Sequence, residues 1–101
     1  MTYKRVDANQ VQIVGYFRKL GCSVMDCSPL GKGRPDIIVG YRGINMLCEI
    51  KDGSKPLSAR TLTDAEIDFH ESWRGKIVII ESFEDCIAIL ESIDAYQENK
   101  P

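Results

Sequence analysis

Asp36, Glu49 and Lys51 are the residues whose types and spacing suit chemistry. Asp36 follows Pro35, twelve residues intervene, and Glu49-Ile50-Lys51 closes an apolar run. Residues two apart on a β-strand point to the same face. A carboxylate and an ammonium on one face of a mostly buried strand are costly unless something uses or pairs them. Two carboxylates on adjacent strands are hard oxygen ligands of the kind Mg²⁺ or Mn²⁺ takes, and the Ile50 backbone carbonyl lies near the same sheet end as a third. A divalent cation there lowers the pKa of a coordinated water and stabilises charge on a phosphate. Lys51 would orient or help deprotonate that water, or neutralise developing charge. The competing reading is an ordinary Glu–Lys ion pair at a strand end, with Asp36 capping a loop. All three groups converging on one sheet end favours the chemical reading.

That convergence depends on the elements. Asp7 is placed to cap a helix over about residues 8–20, stopped by Gly21, with Ile13, Val14, Phe17 and Leu20 as its apolar stripe. Residues 22–27 read as a short strand, and 28–35, rich in Gly and Pro, as a loop. Residues 36–41 and 44–51 form a hairpin around Arg42-Gly43. On its second strand Met46, Cys48 and Ile50 make an apolar face that must pack on helices, while Leu47, Glu49 and Lys51 share the other. After a polar loop, Thr63 and Glu66 match a capping box opening a helix to about Trp73. Ile77-Val78-Ile79-Ile80 is wholly apolar and reads as a central strand, and Ser82 caps a last helix with Cys86, Ile87, Leu90 and Ile93 inward. Residues 97–101 read as a frayed tail. A helical crossover between the third and fourth strands implies parallel pairing, so the sheet is mixed.

The chain has 101 residues, 44% of them hydrophobic and 28% charged, which fits one small globular domain spanning 1–101. No apolar run reaches the ~20 residues of a membrane span, and residues 1–7 lack the apolar stretch of a secretory signal, so a cytoplasmic protein is expected. Cys22, Cys27, Cys48 and Cys86 make no Cys-x-x-Cys pair and read as core thiols, with no structural zinc expected. The net charge of −2 is unevenly spread: residues 1–60 carry ten Lys/Arg against five Asp/Glu, and residues 61–101 carry three against ten. Lys32, Arg34, Arg42, Lys55 and Arg60 fall in loops assigned to the rim of the acidic cluster, a local basic surface for phosphates. Lys32 and Arg34 flank glycines just before Asp36, which permits close approach to a nucleic-acid backbone. Nothing reads bases specifically, so recognition by DNA shape or strand junction is expected.

Pro35-Asp36 and Glu49-Ile50-Lys51 together resemble the PD-(D/E)XK nuclease motif in its E-x-K form. Gly33-Arg34-Pro35-Asp36, Glu49 to Gly53, Leu62-Thr63-Asp64 at a helix start and Trp73-Arg74-Gly75 before the apolar strand extend the likeness. They resemble small VRR-NUC-type and Holliday-junction-resolvase-like nucleases, often phage-encoded, over about residues 7–85. The resemblance implies an α/β, restriction-endonuclease-like αβββαβ core. It implies Asp36 and Glu49 as metal ligands, Lys51 as the catalytic lysine and Mg²⁺ or Mn²⁺ as cofactor. Such nucleases often carry a further acidic residue on the first helix, where this chain offers Asn9, Gln10 and Gln12, and Gln12 is assigned that place. Some carry a Gln-x-x-x-Tyr pair on the later helix, where Glu66 and His70 stand here, with His70 assigned to a phosphate or water. The expected activity is metal-dependent endonucleolytic hydrolysis of DNA, including branched DNA, by a homodimer. The rival readings are a nuclease-fold protein that binds DNA without cutting it, and an interaction domain that docks a basic partner.

Overall fold

The computed structural model describes residues 8–100, so the Asp7 cap and Pro101 lie outside the described residues. Helix α1 (Ala8–Lys19) leads into strand β1 (Ser23–Asp26), and β2 (Ile37–Tyr41) and β3 (Ile44–Ile50) form the hairpin. Helix α2 (Asp64–Ser72), strand β4 (Ile77–Ile80) and helix α3 (Phe83–Glu98) complete the order read from the sequence. Short 3₁₀ turns at Ser28–Leu30 and Leu57–Ala59 interrupt the two long loops. Helix α3 continues through Gln97 and Glu98 into the stretch expected to fray. There the Gln97 side-chain amide donates to the Arg42 carbonyl at 2.6 Å, tying the helix end to the hairpin turn.

The sheet is mixed and four-stranded in the order β1-β2-β3-β4. The first three strands pair antiparallel and β3 pairs parallel with β4. The expectation that β4 is central is corrected: it is an edge strand. Its apolar run has another cause. Ile80 is buried in the core, Ile77 and Val78 are half-buried, and Ile79 is 44% exposed. Both sides of the strand carry apolar side chains without a fifth strand beside it in the described residues.

The register sorts the two faces. Ile37 pairs with Cys48 and Val39 with Met46, and these four join Ile50 and Ile80 on one face. Ile13 and Phe17 of α1 and Cys86, Leu90 and Ile93 of α3 close over that face into the core. The apolar side of β3 therefore packs on helices, as its alternation requires. All four cysteines are buried and free. Burial pushes the Cys48 and Cys86 thiols up to about 12, so they serve as small apolar fillers. Among the described residues, no helix is long and apolar enough to cross a membrane.

The second face holds Asp36, Ile38, Leu47 and Glu49, and α2 is the helix that lies over it among the described residues, with the loop before β2 alongside. The loop before β2 sets where α2 sits. Gly33 has φ +76°, and a Cβ there would collide with the Ala65 carbonyl and come within 2.7 Å of the Glu66 nitrogen. The loop backbone thus rests on the first turn of α2. Gly43 also has a positive φ, +80°, but its Cβ would meet open space. The pair makes a controlled comparison. Gly43→Ala should cost only the left-handed penalty, about 1–2 kcal/mol. Gly33→Ala should cost clearly more in urea denaturation and shift the amide resonances of α2. Equal costs with unmoved α2 resonances would show that the loop–helix contact is slack.

Candidate active site

Asp36 is fixed at the head of β2 by backbone bonds on both sides. Its carbonyl accepts from the Cys27 N–H at 2.8 Å, prolonging the β1–β2 pairing by a step. Its Oδ2 accepts from the Ile50 N–H at 2.8 Å, fastening the carboxylate to the end of β3. Because Ile37 pairs with Cys48, the next step of the ladder sets Asp36 beside Glu49. The two carboxylates therefore meet at one end of the sheet, as expected from antiparallel pairing.

Glu49 is 2% exposed, and its Oε1 is buried without a hydrogen-bond partner. Burial and the neighbouring carboxylates of Asp36 and Glu66 push its carboxyl up to about 10. Without a cation, these surroundings favour the protonated form of Glu49.

Lys51 emerges on the same face. Its Nζ donates to Glu66 Oε1 at 2.8 Å, and both side chains are about 15% exposed. The same oxygen accepts from the Thr63 N–H at 2.8 Å, while Thr63 Oγ1 accepts from the Glu66 N–H at 3.2 Å. The capping box is thus real, and the residue that closes it also holds the lysine. Burial alone would raise the Glu66 carboxyl, but the bonds from Lys51 and Thr63 outweigh it and hold it below the ordinary range. Glu66 remains an anion beside a neutral Glu49, so the two carboxyls serve different ends.

The first helix approaches the site through a residue other than the one expected. Gln12 is exposed. Asn9 instead donates from Nδ2 to the Lys51 carbonyl at 2.7 Å, and buried Gln10 donates to Asp26 Oδ1 at 3.3 Å. Helix phase decides this: Ile13 and Phe17 face the core, and Asn9 falls one turn before Ile13 on that side.

The basic rim is smaller than the sequence implied. Lys32 and Arg34 are exposed on the loop before Asp36, and Lys55 is exposed on the loop after β3. Arg60 is half-buried, paired with Glu81 at 2.7 Å. Arg42 is a correction: it sits in the β2–β3 turn, at the opposite end of the hairpin from Asp36. There it pairs with Asp94 at 2.8 Å, and the Tyr41 hydroxyl donates to the same carboxylate. A five-residue strand puts about 17 Å between that turn and Asp36. His70 lies one turn after Glu66 on α2, half-buried, with Nε2 buried and unpaired.

Among the described residues, no group of three or more His, Cys, Asp or Glu is arranged to hold a metal ion. Glu66 is taken up by Lys51 and the Thr63 N–H, which leaves Asp36 and Glu49 as the carboxyls that could ligate, with the Ile50 backbone beside them. That donor set, completed by water, fits Mg²⁺ or Mn²⁺, which keep much of their hydration, better than a metal needing a full protein cage. The partnerless buried oxygen of Glu49 is the observation that a cation would answer.

No protein-family model matches the chain, and no curated protein does. A solved structure described as a VRR_NUC domain matches with a TM-score of 0.58 and 27% sequence identity, covering 81% of this chain and 89% of that chain. The chain has a VRR-NUC-type nuclease fold, and the restriction-endonuclease-like αβββαβ core that the resemblance implied is present.

The protonated state of Glu49 has a measurable signature. Its folded pKa lies above the unfolded value, so between about 4.5 and about 10 the folded state keeps a proton that the unfolded chain has lost. Stability should therefore fall as pH rises through that window. In chelator, thermal melts should show the wild type losing stability from about pH 6 to about pH 9 while Glu49→Gln declines less. The variant should melt higher at the alkaline end, by on the order of 5 °C. Parallel curves for the two proteins would mean that Glu49 is ionised without metal.

Proposed function

We propose that this VRR-NUC-type fold is a divalent-metal-dependent nuclease that hydrolyses phosphodiester bonds in DNA. The observation that carries the reading is the buried, partnerless Glu49 oxygen set against Asp36 on the face that also presents Lys51. Asp36, Glu49 and the Ile50 carbonyl would hold Mg²⁺ or Mn²⁺, which supplies an acidified water and offsets charge on the scissile phosphate. The name of the similar solved structure, a VRR_NUC domain, supports the same reaction class.

The chain's own groups have separable tasks. Asp36 is held in place by the Ile50 N–H, so its position is set before any ligand arrives. Glu49 must release its proton to become an anionic ligand, which couples occupancy of the site to pH. Lys51 is held by Glu66 within reach of the same sheet end, where its ammonium can orient the attacking water or neutralise the developing phosphorane charge. Lys32, Arg34 and Lys55 supply exposed cations for flanking phosphates. Branched DNA as the preferred form and a homodimer as the working state belong to the same proposal. They rest on the absence, among the described residues, of a side-chain set that reads bases and on the small surface of one chain.

A second reading, DNA binding without cleavage, draws on Asn9: an amide rather than a carboxylate reaches the sheet end from α1. The two readings separate in one set of assays. Wild-type protein, Glu49→Ala and Lys51→Ala are incubated with linear and four-way-junction DNA in Mg²⁺, Mn²⁺ or chelator. The nuclease reading expects cleavage only with metal and a loss of about a hundredfold or more in each variant. Equal cleavage by all three proteins would overturn it. Calorimetry with Mn²⁺ showing no binding, alongside retained DNA affinity, would favour the second reading.

A further inference from the structure

A cleft of about 300 Å³ opens beside the candidate carboxylates. Its floor is Ile38 and Leu47, on the sheet face that also bears Asp36 and Glu49. One wall is aromatic. Phe69 on α2 and Trp73, the residue just past the helix end, have ring centroids 5.5 Å apart and planes inclined by 15°. Trp73 is 45% exposed, so much of the largest ring in the chain is in solvent. Gly75 leaves room for it: a Cβ there would lie 2.8 Å from Trp73 Nε1. The opposite wall is Leu30, 61% exposed, and Arg34 stands at the rim. Pro35 lines the cleft and is bonded to Asp36, so the cleft and the acidic pair adjoin along the chain.

We propose that this cleft receives an unstacked nucleobase of a single-stranded or unpaired segment of DNA, next to the phosphate at the carboxylate pair. A nucleobase is flat and aromatic-faced, which suits an open indole backed by a stacked phenyl ring. The charges give the strand a direction. Arg34 and Lys32 are exposed on the loop side of the cleft, whereas Asp64, Asp68 and Glu71 are exposed on α2. The phosphate backbone therefore runs over the loop, and the base points toward α2. Apolar residues make up most of the lining, so few groups are available to read a base edge, and stacking tolerates every base. A paired base inside a duplex cannot enter without being extruded, which makes the cleft a selector for unpaired strands. The same features weigh against a protein partner: the cleft is small, and its rim cation, Arg34, matches phosphate.

This assignment rests on DNA being the substrate of the neighbouring site, and its test is kept apart from cleavage. Trp73 is the single tryptophan of the chain, so its emission reports the cleft directly. In chelator, where no hydrolysis occurs, the protein is titrated with a short oligothymidylate, a hairpin duplex and an abasic strand of the same phosphate count. Quenching by the oligothymidylate, with little from the duplex or the abasic strand, is the expected result. Affinity measured by anisotropy of a labelled oligothymidylate should fall on the order of tenfold in Trp73→Ala and be largely kept in Trp73→Phe. Equal quenching by the abasic strand overturns the proposal, and so does unchanged affinity in a folded Trp73→Ala. A wild-type emission change that follows protein concentration alone, with no response to DNA, assigns the cleft to a second copy and also overturns it. Quenching without cleavage in metal fails only the nuclease reading; cleavage without quenching fails only this one.

Discussion

Glu49 is a carboxyl group placed where its charge has no counterpart. It lies on a buried strand, beside Asp36 and near Glu66, and one of its oxygens meets no donor. A bare carboxylate in such surroundings carries a desolvation cost that the fold must relieve by protonation or by a cation. The rest of the arrangement follows from that constraint. Asp36 is fastened by the Ile50 N–H, so it cannot swing away to relieve the crowding. Lys51 does not discharge the pair, because Glu66 holds its ammonium. The result is a sheet end at which Glu49 either keeps its proton or gives it up to a cation.

The two faces of the sheet divide the labour. One is sealed by α1 and α3 and carries the stability of the chain in a continuous apolar cluster. The other is covered, among the described residues, by the short α2 and the loop before β2, and it carries the polar groups and the aromatic cleft. A small chain cannot bury both faces of a four-stranded sheet thoroughly. Leaving one face half-open creates the space in which a ligand can sit, and the cost in unburied apolar area appears as exposed Met25, Ile79 and Trp73.

Much of this was legible in the sequence because it follows short periodicities. The hairpin, the two faces of β3, the capping box of Thr63 and Glu66, and the meeting of Asp36 with Glu49 all follow from period-two alternation or from spacing within a turn. What stayed hidden depends on how elements are placed around one another. An apolar strand looks the same at a sheet edge as at its centre, so β4 read as central. Arg42 looked like its fellow loop cations because a linear sequence does not say which end of a hairpin a loop occupies. On α1, a difference of three residues decides whether Asn9 or Gln12 meets the strand end, and the starting phase of a helix is poorly marked. Glu66 stood out as a cap, but its hold on Lys51 needed the approach of α2 to the sheet.

The order of the strands bears on how such a site survives change. Asp36 and Glu49 come from the two arms of one hairpin, the pairing with the shortest loop to close. The parallel strand β4 and the last helix join from farther along the chain. The acidic pair is thus assembled by the most local contact in the sheet, whereas the parts that cover and tune it arrive through longer-range ones. Substitutions in the later half can reshape what is admitted beside the carboxylates while leaving their juxtaposition intact. The acidic pair and much of its surroundings can therefore change independently within this single chain.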